Sequence, residues 1–130
     1  MKYMLMMQGT AKDMEGFGSL TSEEIKEHIE YMGRLDQDLR DSGELVIDEG
    51  LAPPDQAKIV TASEGGPPMV SDGPFPEGKE FLAGFWIVDV ESPERAIEIA
   101  SRASSAPGQG GVQLNIPIHV LPVGEPPTEG

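Results

Sequence analysis

The segment Phe81 to Val90 is apolar at nearly every position. Leu82, Gly84, Trp86, Val88 and Val90 fall on one face of an extended chain, and Phe81, Ala83, Phe85 and Ile87 fall on the other. Side chains of a strand alternate between its two faces, so a strand of this kind is stable only when both faces are covered. It therefore belongs in the middle of a sheet, and whatever packs on its two sides sets the architecture. The opening segment Lys2 to Gln8 has the same character, with Tyr3, Leu5 and Met7 on one side, Met4 and Met6 on the other, and Gly9 at its end.

Glycine and proline cluster between short segments and divide the rest of the chain. Thr10 to Ser19 is polar and glycine-containing and reads as a mobile loop. Thr21 then reads as a helix N-cap, with Glu24 three residues on to complete a capping box and Leu20 and Ile25 in staple positions. Ile25, Ile29, Met32, Leu35 and Leu39 recur every three or four residues, which gives one apolar helical stripe, and Gly43 ends the helix. Glu44 to Glu49 reads as a strand. Lys58 to Ala62 and Met69 to Ser71 form a hairpin around Gly65-Gly66-Pro67-Pro68. Ser92 caps a second helix with Pro93 in its first turn, its apolar residues being Ala96, Ile97, Ile99, Ala100 and Ala103. The last strand is expected over Val112 to Val120, alternating apolar and polar, with Pro117 marking it as an edge.

The order strand, helix, strand, hairpin, strand, helix, strand predicts an α+β fold, a ferredoxin-like split βαβ sheet with an inserted hairpin. One domain is expected over residues 1–122, followed by a disordered tail over 123–130. Two helices cover one face of the sheet. The doubly apolar strands require a cover for the other, and the simplest cover is a second copy, giving a homodimeric α/β barrel in which two sheets enclose a cavity.

The chain holds 23 acidic and 9 basic residues and a formal charge of −14, which argues against nucleic acid or an anionic membrane as a partner. It has no cysteine, hence no disulfide, thiol nucleophile or thiolate metal site. The first apolar run is too short for a signal segment or a membrane span, and a cytoplasmic location is expected. Two isolated histidines make no metal site, and no phosphate loop or nucleophile elbow occurs, so neither metal nor cofactor is expected.

The run Val70-Ser71-Asp72-Gly73-Pro74-Phe75-Pro76-Glu77-Gly78-Lys79-Glu80, followed by Leu82-Ala83-Gly84-Phe85-Trp86-Ile87-Val88-Asp89-Val90, resembles the signature of the DGPF branch of the YCII-related proteins. Met1-Lys2-Tyr3-Met4-Leu5 and Glu49-Gly50-Leu51-Ala52-Pro53-Pro54 match as well. The resemblance implies a dimeric α+β barrel of ferredoxin-like protomers. Most of the branch is uncharacterised, some members are encoded beside alternative sigma factors, and a few YCII relatives act on small aromatic compounds. Gly78 stands where the branch usually has Thr. YCII relatives proper pair a histidine of the first helix with an Asp of an Asp-Pro-Tyr segment after the second. His28 matches the first of these, whereas Ala106-Pro107-Gly108 offers no such Asp.

His28 lies three residues after Ile25 and four before Met32, on or beside the buried stripe. It is either a packed boundary residue or, if it lines the cavity, a general acid or base. Asp72, Gly73 and Pro74 make ordinary turn chemistry, yet they bring a carboxylate near Phe75 and ahead of the sheet. Lys79 is suited either to binding a carboxylate or phenolate or to a surface ion pair. Of Phe85 and Trp86, one fills the helix-side core and the other walls the cavity, and Tyr3 of the opening strand joins the ligand-binding set. Gln113, Asn115 and His119 share the polar face of the last strand. The leading expectation is a small-molecule-binding dimer of uncharacterised activity, with His28 and Asp72 as its catalytic pair at the sheet and dimer interface. The contrasting expectation is a non-enzymatic interaction protein, such as an accessory factor of a sigma-factor system.

Overall fold

The computed structural model describes residues 1–73 and 80–125. In chain order its elements are β1 (Lys2–Gly9), α1 (Ala11–Gly18), α2 (Ser22–Asp41), β2 (Leu45–Gly50), β3 (Lys58–Thr61), β4 (Met69–Asp72), β5 (Phe81–Asp89), α3 (Pro93–Ser104) and β6 (Ile118–Pro122). The two doubly apolar strands pair antiparallel at the centre, with Leu5 opposite Trp86 and Met7 opposite Gly84. β2 and β6 form the edges of an antiparallel sheet ordered β2-β5-β1-β6, and β3 and β4 form the separate hairpin. The split βαβ order is thus realised. Within one chain the sheet is open and does not close into a barrel.

The helix ends follow their sequence signals. Thr21 Oγ1 accepts the Glu24 N–H at 3.1 Å while the Glu24 carboxylate accepts the Thr21 N–H at 2.9 Å. Gly43, at φ +78°, provides the left-handed turn after α2 that residues with a Cβ resist. Ser92 Oγ accepts the Arg95 N–H at the start of α3. One face of the sheet then meets the helices: Leu5, Trp86 and Val88 pack against Leu35 and Leu39 of α2 and Ala96, Ile99 and Ala103 of α3. Burial of each leucine contributes about 2 kcal/mol. No helix among the described residues is long and apolar enough to cross a membrane.

Four details differ from the sequence reading. Thr10 to Ser19 is a helix rather than a loop, because Thr10 and Asp13 close a second capping box. Ile29 is 62% exposed and Ile97 58% exposed, so neither belongs to a buried stripe, and on α2 His28 lies where the stripe continues. The last strand begins only at Ile118. Ahead of it, Asn115 takes φ +54° and the chain bends back on α3, with the Leu114 N–H on the Ala106 carbonyl and the Asn115 N–H on the Ser104 carbonyl. Finally, Val123 continues the pairing of β6 through its N–H to the Lys2 carbonyl at 2.9 Å. The rest of the expected tail, beyond Glu125, lies outside the described residues.

The sheet face away from the helices contributes no side chain to the buried core cluster. Ile47, Ile87, Met4 and Leu121 line up across all four strands on that face, and Ile47 and Leu121 are exposed.

Candidate functional site

α2 supplies the site through its own periodicity. His28, Met32 and Asp36 succeed one another at intervals of four, so they share one side of the helix. They border a cavity of about 570 Å³ between α2 and the sheet. Met14 and Phe17 of α1, Trp86 of β5, and Leu114 and Ile116 ahead of β6 form apolar walls. The helix that the sequence reading missed is therefore one of these walls. Gly84 allows close approach of β2 beside Trp86: a Cβ there would stand 3.1 Å from the Glu49 carbonyl oxygen, a contact that β2 would have to relieve by moving a few tenths of an ångström.

His28 is fixed in orientation. Its Nδ1 lies 3.0 Å from the Pro107 carbonyl oxygen, which can only accept, so Nδ1 carries the hydrogen and Nε2 keeps its lone pair in the neutral ring. Phe17 meets the imidazole edge-on, with ring centroids 5.1 Å apart.

About two turns further along α2 stands a carboxyl pair. Asp48 lies opposite Trp86 in the register of β2 and β5, which directs its side chain to the helix face. There its carboxyl adjoins that of Asp36, while Trp86 Nε1 donates to Asp36 Oδ1 at 3.1 Å. Burial first, and then the neighbouring Asp48 carboxyl, push Asp36 up to about 6, against the opposing effects of the Trp86 N–H and Arg40. Asp13 and Glu49 also border the cavity. Among the described residues no group of three or more His, Asp or Glu is placed to hold a metal ion.

The structure separates the sequence candidates. His28 and Trp86 border the cavity, whereas Phe85 adjoins it along β5 with its side chain on the other sheet face, opposite Met6. Asp72 does not: it ends β4, its side chain is 83% exposed, and it pairs with Lys58 across the hairpin. Gly73 is buried next to it, its N–H on the Ala57 carbonyl and its open side filled by Ile59. Tyr3 belongs to the core beneath the helices, its hydroxyl directed at Met1 Sδ. His119 lies on the opposite sheet face, paired with Met6, while the Gln113 amide donates to Asn115 Oδ1. Pro74, Phe75 and Lys79 lie outside the described residues. The structure adds Asp36 and Asp48, which the sequence reading did not single out.

Comparison with known proteins matches residues 1–114 to the YCII-related domain. An uncharacterised protein of Rhizobium meliloti is 34% identical over 76 residues, an alignment that spans 58% of this chain and 60% of that protein's length.

Proposed function

The chain belongs to the YCII-related family, and on that premise we propose that it binds a small molecule in the cavity between α1, α2 and the sheet. The carrying observation is the Asp36–Asp48 pair beside Trp86 in a cavity whose walls are largely apolar. A carboxyl with a raised pKa in a cleft is a recurrent mark of a functional site. His28 is the second proton-handling group. It stands eight residues from Asp36 on one helix, about 12 Å along the axis, so the two groups address opposite ends of a ligand rather than one bond. This places the working residues inside one protomer, with His28 retained from the sequence reading and Asp36–Asp48 taking the role first given to Asp72.

The apolar row Ile47, Ile87, Met4 and Leu121 supports a second copy on the opposite face, which makes the dimeric barrel of the DGPF branch the proposed assembly. One observation favours the alternative of an interaction protein, such as an accessory factor of a sigma-factor system: Val60, Met69 and Val70 of the hairpin are each at least 60% exposed.

Trp86 is the chain's one tryptophan and borders the cavity, so its fluorescence reports occupancy directly. A screen of small aromatic compounds is expected to yield ligands that shift Trp86 emission with Kd below about 1 mM, and Met32→Phe, which narrows the cavity without adding a second tryptophan, is expected to weaken their binding. Failure of every compound at 10 mM on folded protein would overturn the reading.

A further inference from the structure

We propose that the ligand of this cavity is an organic cation, a protonated amine carried on an apolar body. The inference rests on the cavity being the ligand site and concerns which chemistry it accepts. Three carboxyl-bearing residues border the space with side chains on its side of the sheet, Asp13 from α1, Asp36 from α2 and Asp48 from β2. Against them, His28 is the single group among the described lining residues that can carry positive charge. A carboxylate or phosphate ligand entering here would face like charge in a partly dry space with little to offset it. A neutral ligand would leave the carboxyl groups without a charged partner.

An ammonium group suits the pair for a specific reason. Ionised carboxylates only accept, an ammonium has three donors and accepts nothing, and charge-assisted bonds of this kind are about twice as strong as neutral ones. Trp86 Nε1 already occupies one oxygen of Asp36, which fixes the carboxylate and leaves its other oxygen and those of Asp48 for the ligand. The remaining walls are of the matching sort. Met14, Met32 and Phe17 are polarisable or aromatic, and such groups accommodate both an apolar body and a nearby cation. The cation therefore belongs at the Asp36–Asp48 end, with the apolar body directed along α2 toward Phe17 and His28.

Three probes with one body and different charge separate this inference from the cavity reading: 2-phenylethylammonium chloride, 2-phenylethanol and sodium phenylacetate, titrated at pH 7.5 against Trp86 fluorescence. The ammonium compound is expected to bind at least about tenfold tighter than the alcohol, and the carboxylate weakest. In the double variant Asp36→Asn, Asp48→Asn the ammonium compound is expected to come within about twofold of the alcohol, with a melting temperature no lower than wild type as evidence of folding. If the alcohol or the carboxylate binds as tightly as the amine, the cation inference is overturned and the cavity reading stands. It is equally overturned if the amine keeps its advantage in the double variant. If none of the three occupies the cavity at 10 mM, both fail.

Discussion

Asp36→Asn is expected to stabilise the protein at neutral pH. Folding moves the Asp36 carboxyl from 3.8 to about 6, chiefly by burial and by the neighbouring Asp48 carboxyl. A raised acid means that the native state holds a proton which the unfolded chain has released, so stability falls as pH rises between those two values. The cost is absent below about pH 4 and complete above about pH 6. For a carboxyl wholly shut off from water it would be about 3 kcal/mol. Asp36 is half-buried and solvent screens it, which reduces the figure to about 1–2 kcal/mol. Asparagine keeps the oxygen that accepts the Trp86 N–H and offers an N–H₂ to Asp48, so the substitution removes the charge while preserving the Trp86 bond. In thermal melts at pH 7.5 the variant should melt about 3–8 °C above wild type, and the gap should close by pH 4. A variant that melts below wild type at pH 7.5, or a gap that does not narrow with acid, would refute the account of the carboxyl pair.

The proposed dimer and the sheet's outer ion pair have their own tests. Sedimentation at micromolar concentration should show a dimer, and Ile87→Glu, which sets a charge in the middle of the apolar row, should give a folded monomer; a monomeric wild type would remove the second copy from the argument. Glu44 accepts from both Nε and Nη2 of Arg95 at 2.8 Å, tying the chain just ahead of β2 to α3, and the Arg95 bonds, helped by Ser42, hold its carboxyl below the usual range. Because that pKa is depressed, the stabilisation is present above about pH 4.5 and is lost as pH falls through the folded value. Glu44→Gln should therefore cost about 1 kcal/mol in urea melts at pH 7 and nothing at pH 2.5, and an equal cost at both would count against the pair.

What the sequence made legible was whatever a local pattern encodes. The capping residues Thr21 and Ser92 mark their helices because a cap is chemistry between residues three apart. The double apolar character of β5 and β1 places them centrally because alternation along a strand needs no partner to be seen. The helix α1 was obscured by Gly16 and Gly18, although Thr10 and Asp13 stand at capping-box spacing and Met14 and Phe17 recur at helical spacing. Asp36 and Asp48 were hidden by their company: most acids between residues 21 and 50 point to solvent, and two that point inward look the same in a charge count. The usable signal was position, since Asp36 follows Met32 by four residues inside an otherwise apolar stripe. Asp72 drew notice through its motif, and nothing local reveals that Lys58 stands opposite it. That pairing exists only in the register of β3 and β4.

The length of α2 explains why the cavity lies where it does. Its buried residues, Leu35 and Leu39, belong to the C-terminal half, while the first half contributes no fully buried side chain. This half overhangs the sheet, and polar bonds tie it down where packing does not: Glu24 accepts the Gly110 N–H at 2.5 Å, His28 meets the Pro107 carbonyl, and the Tyr31 hydroxyl donates to the Arg102 carbonyl at 2.8 Å. All three anchors lie in the last turn of α3 or the segment after it. Each such bond contributes about 1 kcal/mol net, less than the burial of either leucine. Separating the overhang from that segment therefore costs these bonds and leaves the Leu35 and Leu39 core intact.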